Sequence, residues 1–271
     1  MEIGQLAILL LVGLGAGVLS GMFGIGGGVV IVPALVLLGF QFKEAVGTSL
    51  GALLMPVGIF AVIAYYRAGK LKLGIAFWIA VGLIFGGIVG AQIATQLLTG
   101  DALERLYGLF LLYTGWRFAE PRKWWRQWRS GVPPVTEPEE VTTELPWYYL
   151  LLVGLGAGVL AGMFGIGGGA IIVPALVGLL KFDQHLAVGT SLAALLFPVG
   201  LGSVLIYYQD GSLRPEAAVA VAFGLLVGAL GGARIALGLP AKQVKQLYGI
   251  FLIIIGLRFI LGDSLIVLLG G

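Results

Sequence analysis

Two glycine clusters of identical sequence could bind a negatively charged group through their backbone. Both read FGIGGG, at residues 23–28 and 164–169, and both lie between long apolar runs. Adjacent glycines each weaken a helix by about 1 kcal/mol relative to alanine, so we predict a break in the helix at each cluster. The N–H groups that open the following helix then form a cradle for an anion. The candidate binding residues are Gly24, Gly26, Gly27, Gly28, Gly165, Gly167, Gly168 and Gly169.

A second repeated motif, AVGTSL, supplies hydroxyl groups at residues 45–50 and 187–192. These side chains and the local amides can donate hydrogen bonds to a bound oxyanion. Alternatively, they cap the helix or bond back to their own backbone, and the motif alone fits both uses. Their pairing with a glycine break favours binding. The candidates are Thr48, Ser49, Thr190 and Ser191.

The positions of the charged residues favour an anionic cargo. All 13 Asp and Glu residues lie in polar breaks or near the ends of apolar segments, whereas carriers of protons or cations usually hold a carboxylate at depth. Arg234 lies within an apolar stretch, and Gln92 is its counterpart in the first half. Both are candidates for substrate contact, although snorkelling of Arg234 to the nearby surface is the favoured interpretation.

Several other chemistries are excluded by composition. The chain has no cysteine and a single histidine, His185, so thiolate chemistry and histidine metal sites are ruled out. A nucleotide-binding glycine loop would need a hydrophilic strand–helix unit and an acidic ribose ligand, which the sequence lacks. An intramembrane enzyme would need a buried acid, base or nucleophile. We therefore predict no enzymatic activity, no cofactor, no metal and no nucleic-acid partner.

The elements that position these residues are predicted to be membrane-spanning helices. Of the 271 residues, 59% are hydrophobic and 11% are charged, and the mean hydropathy is +1.05. Soluble domains carry about a quarter charged residues. Several apolar stretches match the roughly 20 residues that a helix needs to cross a bilayer. We predict an all-α polytopic membrane protein in the plasma (inner) membrane, with the lipid bilayer as a partner.

The chain contains one repeat used twice. Val12–Val36 aligns with Val153–Val177 at an offset of 141, and 22 of these 25 positions are identical. Each repeat has five apolar segments, about ten helical segments in all, as in the halves of secondary transporters. We predict a first membrane repeat at residues 1–119, a cytoplasmic linker at 120–146 and a second membrane repeat at 147–271.

Charge counting favours an inverted arrangement of the two repeats. With an odd number of crossings in each half, 11 Lys and Arg residues lie on the linker side and 4 lie opposite, against 10 and 5 for an even number. The linker contains Trp124, Trp125 and Trp128 beside basic residues, which suits a lipid headgroup layer. The second apolar segment has only 12 residues, so we predict that it re-enters or half-spans the membrane.

Twelve other glycines recur at four-residue spacing and predict close helix packing. Such rows let two backbones approach closely within a membrane. A homodimer could use these glycine faces, although internal packing explains them equally well. They are Gly13, Gly17, Gly21, Gly82, Gly86, Gly90, Gly154, Gly158, Gly162, Gly224, Gly228 and Gly232.

The duplicated GMFGIGGG and IVPAL segments, each followed by AVGTSL, resemble the TauE/SafE family of membrane transporters. The resemblance covers the chain except the linker. It implies a plasma-membrane carrier that exports sulfite, sulfoacetate or a related organosulfonate. It also places the family's glycine motifs on residues 24–28 and 165–169 and its hydroxyl motifs on residues 48–49 and 190–191.

These observations together predict a secondary transporter for a small sulfur-containing anion. Both broken hairpins and both hydroxyl pairs would meet in one cavity, which alternating access exposes to either side. An anion channel, or a carrier of another small organic anion, could use the same cavity. A membrane scaffold that transports nothing is the remaining alternative.

Overall fold

The computed structural model describes residues 3–56, 58–119, 146–239 and 241–261, which form twelve α-helices. The predicted linker, including its tryptophans, lies outside the described residues apart from residue 146. The first half contains α1 (Ile3–Phe23), α2 (Gly28–Leu37), α3 (Phe42–Leu54), α4 (Ile59–Arg67), α5 (Leu73–Gln92) and α6 (Gly100–Ala119). The second half contains α7 (Trp147–Phe164), α8 (Gly169–Leu179), α9 (Gln184–Leu196), α10 (Leu201–Gln209), α11 (Pro215–Gly238) and α12 (Ala241–Leu261).

The predicted all-helical class is confirmed, but the third apolar segment of each half is divided into two helices. α3 and α4 meet at 52°, and α9 and α10 meet at 54°. Pro56 and Pro198 lie in these bends, and a glycine follows each at the next position but one. Proline lacks the N–H of a helical hydrogen bond and its ring crowds the preceding turn, which favours a bend at these positions. Proline alone does not force a break, since Pro33 and Pro174 lie within the continuous helices α2 and α8. The described chain therefore has six helices in each half instead of the predicted five segments.

The predicted breaks at the glycine clusters are present in both halves. α1 ends at Phe23 before α2 begins at Gly28, and α7 ends at Phe164 before α8 begins at Gly169. Three glycines in each cluster have positive φ, +72°, +77° and +87° in the first and +69°, +74° and +84° in the second. Other L-residues rarely adopt this region, so the glycines permit the chain to leave one helix and start the next.

The glycine rows interlock the two halves, which confirms the predicted packing role. A Cβ atom added at Gly13 would overlap the carbonyl oxygen of Val221, and one added at Gly21 would overlap that of Ala229. Residue numbers at the contacts thus increase in the same direction along α1 and α11, so the two helices run parallel. α5 and α7 pair in the same way. Helices of the same chain already cover these glycine rows, so the rows supply no argument for a homodimer.

The last helices of the two halves pair with each other in the opposite sense. A Cβ atom at Gly108 would lie 3.0 Å from Phe259, and one at Gly115 would lie 2.9 Å from the carbonyl oxygen of Gly249. Later residues of α6 therefore meet earlier residues of α12. These two helices are equivalent in the repeat, and they pack antiparallel.

Among the described residues, four helices are long and apolar enough to cross a membrane, or up to six spans if each bent pair counts as one. The four cover Gly4–Phe23, Leu73–Leu97, Trp147–Phe164 and Pro215–Gly238, the second including a π-helical turn after α5. α2 and α8 are shorter apolar helices of 10 and 11 residues. Ten residues rise only about 15 Å, which is half of a hydrocarbon core.

Gly13→Ala should destabilise the protein because the new methyl group meets the α11 backbone rather than a movable side chain. Overpacking of this kind costs about 1–3 kcal/mol, so we expect the melting temperature in detergent to fall by several degrees. Gly15→Ala is the matched control, since Gly15 lies on the same helix with no atom within 4 Å of the added Cβ. Equal melting temperatures for the two variants would contradict the proposed close packing.

Candidate functional site

The two glycine clusters meet at the centre of the protein. A Cβ atom added at Gly26 would lie 3.7 Å from the Cα of Gly167, and one added at Gly167 would lie 3.7 Å from the Cα of Gly26. A Cβ at Gly28 would overlap the Gly165 carbonyl, and a Cβ at Gly169 would overlap the Gly24 carbonyl. Both clusters are buried. The structure therefore brings together the two clusters that contain all eight glycines predicted from the sequence to bind the anion.

Serine hydroxyls satisfy one of the backbone carbonyls that each break releases. Ser49 Oγ donates to the Gly165 carbonyl and Ser191 Oγ donates to the Gly24 carbonyl, each at 2.8 Å. Each serine thus reaches across to the opposite half. An unsatisfied buried carbonyl would cost about 1–3 kcal/mol, so these bonds are a condition for breaking the helices inside the protein.

Two buried tyrosines bond to carbonyls one turn earlier in the same helices. Tyr65 Oη donates to the Gly21 carbonyl at 3.1 Å, and Tyr207 Oη donates to the Gly162 carbonyl at 3.0 Å. Both side chains have no exposed surface. The C-terminal ends of α1 and α7, whose last carbonyls lack helical partners, are therefore capped by side chains in matched pairs.

The backbone amides after the breaks are left without such partners. Val30 and Ile31 donate to the Gly27 carbonyl at 2.9 and 3.0 Å, and their counterparts in α8 do the same. Within the described residues, no acceptor takes a hydrogen bond from the N–H groups at 26–29 or 167–170. These amides open α2 and α8, where the helix dipole is positive. Unpaired donors and a positive dipole favour a negatively charged ligand.

A cavity lies where the two clusters meet the bends of the third segments. Its space for the centres of water molecules is about 40 Å³. Gly26 and Gly167 both line it, as do Gly58 and Gly200 at the two bends. No Asp, Glu, Lys or Arg belongs to its lining in the described part of the chain. The remaining wall is largely aliphatic and includes the repeat-related pairs Leu50 and Leu192, and Leu53 and Leu195.

The four predicted hydroxyl residues are all buried next to this region but are already hydrogen-bonded. Besides the two serines, Thr48 Oγ1 accepts from the Arg214 N–H and Thr190 Oγ1 accepts from the Lys72 N–H, both at 3.2 Å. None of the four belongs to the described lining of the cavity. Their contact with substrate stays a prediction, whereas their use in joining the halves is visible.

Gln92 and Arg234 lie apart from the cavity. Both side chains are exposed on the surface of the helix bundle, and neither belongs to the described lining. This position suits the snorkelling interpretation of Arg234, whose guanidinium can reach the headgroup layer along a long apolar stem. Substrate contact by this pair stays a prediction.

Sequence reasoning missed two serines in the cavity wall, Ser20 of α1 and Ser203 of α10. Isolated serines in apolar helices are common packing residues, so their type alone gives no signal. The repeat alignment does give one. In the alignment of the two repeats, Ser20 corresponds to Ala161, which is one of only three differences among the 25 aligned positions. Ser203 corresponds to Ala61.

The ion pairs Arg214–Glu44 and Lys70–Asp183 join the halves away from the cavity. Arg214 contacts Glu44 at 2.7 Å, and Lys70 contacts Asp183 at 3.1 Å. Burial alone would raise the pKa of Asp183, but hydrogen bonds from Lys70 and from two backbone amides, together with the Lys70 charge, hold it below its usual value. Both pairs are partly exposed, and exposed pairs contribute no more than about 1 kcal/mol. They can therefore break at little cost.

Comparison with known proteins places the chain among membrane transporters. Residues 9–259 match the family model described as sulfite exporter TauE/SafE. The probable membrane transporter protein YunE of Bacillus subtilis is 30% identical over 270 residues, covering 93% of this chain and 96% of YunE. A probable membrane transporter protein of Methanocaldococcus jannaschii is 25% identical, covering 94% of this chain and 96% of its own length. No solved structure matches.

Ser49→Ala and Ser191→Ala should each lower thermal stability. Each variant leaves a buried carbonyl in the opposite half without its hydrogen-bond donor. We therefore expect the free energy of unfolding to fall by about 1–3 kcal/mol and the melting temperature in detergent to fall with it. The two losses should be similar because the two bonds are equivalent. Thr95→Val is the control, since the Thr95 hydroxyl donates to the Ala91 carbonyl four residues earlier and therefore does not join the two halves. Unchanged stability in both serine variants would contradict this role.

Proposed function

We propose that this chain, a multi-pass membrane transporter that belongs to the sulfite exporter TauE/SafE family, carries a small sulfur-containing anion across the plasma membrane by alternating access. The family and its relatives are transporters rather than enzymes. The observation that carries the proposal is the meeting of two broken helices whose first amides have no acceptor in the described chain.

The chemistry of the site suits sulfite or a sulfonate. Each has three oxygens that accept hydrogen bonds, and the breaks offer main-chain donors from two helices at once. In the described part of the chain, the cavity wall has no carboxylate to repel an anion and no cation to hold it permanently. A carrier must release its cargo, so binding by amides and dipoles fits better than binding by a buried arginine. Export is the direction that the family description, sulfite exporter, supports.

Alternating access requires two states of similar energy, and we propose that an inverted repeat provides them. The antiparallel packing of the equivalent helices α6 and α12 supports inversion, because a two-fold axis along the helices would make them parallel. Inversion would also place the Glu44–Arg214 and Lys70–Asp183 pairs on opposite faces of the membrane. Each weak pair could then open in turn as one half moves against the other.

Gly27→Val and Gly168→Val should abolish transport. Both glycines have φ above +80°, and the new side chain would enter contacts of 2.9 Å with Leu225 and 2.7 Å with Leu83, respectively. The amides at the start of α2 or α8 would then be displaced or covered. The measurement is uptake of labelled sulfite or sulfoacetate into proteoliposomes. Wild-type rates in both variants would overturn the site assignment.

Matched controls separate the site from general damage to the fold. Gly15→Val and Gly156→Val occupy equivalent positions on α1 and α7 with no atom within 4 Å of the added Cβ, so both should transport normally. Counterflow tests the mechanism in the same vesicles. In vesicles preloaded with unlabelled anion, a carrier should transiently accumulate labelled anion from outside. Flux without this counterflow would indicate an anion channel instead of alternating access.

A further inference from the structure

We propose that Ser20 and Ser203 are substrate-binding residues that hold and orient a single-centre oxyanion in the central cavity. The inference rests on the proposed transport function and assigns two residues that no motif of the repeat contains. Ser20 comes from α1 in the first half and Ser203 comes from α10 in the second half.

Both hydroxyls are buried and unpaired. Ser20 is 2% exposed and Ser203 is 1% exposed, and both line the cavity. Within the described residues, neither Oγ makes a hydrogen bond to another protein group. Leaving a buried hydroxyl without a partner costs free energy, so such groups usually have a functional reason. A ligand in the cavity would supply the missing partner.

Of the five other buried serine and threonine side chains in the described residues, four have hydrogen-bond partners, and Thr114 of α6 is the exception. Ser49, Ser191, Thr48 and Thr190 all have partners, as described above. Thr95 bonds back to the Ala91 carbonyl of its own helix at 2.9 Å. Ser20 and Ser203 are also helical, yet neither makes this back-bond. Their hydroxyls are therefore available to the cavity.

The two serines break the two-fold equivalence of the site. The glycine amides come in matched pairs, so they cannot distinguish one orientation of the cargo from the other. Ser20 is matched by Ala161, and Ser203 is matched by Ala61, so each half supplies one hydroxyl that the other lacks. An anion that accepts from both hydroxyls would be held in one orientation and would bridge the two halves.

The space around Ser203 is fitted to its hydroxyl. A Cβ atom added at Gly87 would lie 2.8 Å from Ser203 Oγ, so even alanine there would crowd the group. In the other half, Ala61 stands at the position of Ser203 and Ala229 stands at the position of Gly87. The half with the larger residue, Ser203, therefore has the smaller residue, Gly87, beside it.

The size of the cavity favours a compact cargo. One water molecule needs roughly 10–15 Å³ of this kind of space. The cavity offers about 40 Å³, which corresponds to a few such volumes. A sulfur atom with three or four oxygens fits this space better than a two-carbon sulfonate does. The proposal therefore expects sulfite or sulfate to bind more tightly than sulfoacetate or taurine.

The test measures anion binding by Ser20→Ala, Ser203→Ala and the double variant. Purified protein would be titrated calorimetrically with sodium sulfite, sodium sulfate and sulfoacetate. A hydrogen bond to a charged group is worth about a factor of ten or more, so each single variant should bind sulfite about tenfold more weakly and the double variant more weakly still. Thr114→Val, a buried hydroxyl on α6 outside the described cavity lining, should bind like wild type.

Melting temperatures without anion separate binding from folding. Alanine already occupies the equivalent positions, Ala161 and Ala61, so both variants should fold. Removing an unpaired buried hydroxyl should leave the anion-free melting temperature unchanged or raise it, whereas a structural role would lower it. Stability that rises while affinity falls is the signature expected of a binding residue.

The possible results keep this proposal distinct from the transport proposal. Unchanged affinity in all serine variants, with sulfite bound by wild type, would overturn the assignment and leave the transporter site standing. A wild-type protein that binds none of the anions would remove the proposed function and this inference with it. Tighter binding of sulfoacetate than of sulfite would overturn the single-centre cargo.

Discussion

A helix broken within an apolar interior releases main-chain groups that water cannot reach, and the protein must satisfy them or use them. Here side chains donate hydrogen bonds to several of the released carbonyls, whereas the released amides have no partners in the described residues. Ser49, Ser191, Tyr65 and Tyr207 donate to carbonyls at the ends of α1 and α7. The amides that open α2 and α8 have no acceptor in the described residues. The breaks therefore leave main-chain donors free at the positive ends of two helix dipoles, an arrangement that favours an anion.

Neither half can build this site alone. The serine of one half bonds to the glycine carbonyl of the other, and the two clusters meet at Gly26 and Gly167. The glycine rows add a second dependence, because α1 packs along α11 and α5 packs along α7. Cargo bound between the clusters, as proposed, would therefore contact both halves. Any relative motion of the halves changes the site, which is the coupling that a carrier needs.

The glycine breaks and the close helix contacts could be predicted because both depend on backbone physics that is local to the sequence. Four glycines within five residues, as at 24–28 and 165–169, weaken a helix strongly, and glycines spaced by four let a neighbouring helix approach closely. The split of the third segments at Pro56 and Pro198 was missed because the apolar run continues through it. Partners such as Ser191 and Gly24 are 167 positions apart, so only the tertiary fold reveals them. The asymmetry at Ser20 was readable in the repeat alignment, but its burial in the cavity was not.

The central claim is that the paired helix breaks bind an anion through the main chain. The most direct test is a structure determined with selenite, a sulfite analogue whose selenium can be located by anomalous scattering. The account predicts a selenium peak in the cavity between Gly26 and Gly167, with selenite oxygens within hydrogen-bonding distance of the amides that open α2 and α8. An ordered selenite elsewhere with this cavity empty, or continuous helices through both glycine clusters, would contradict it.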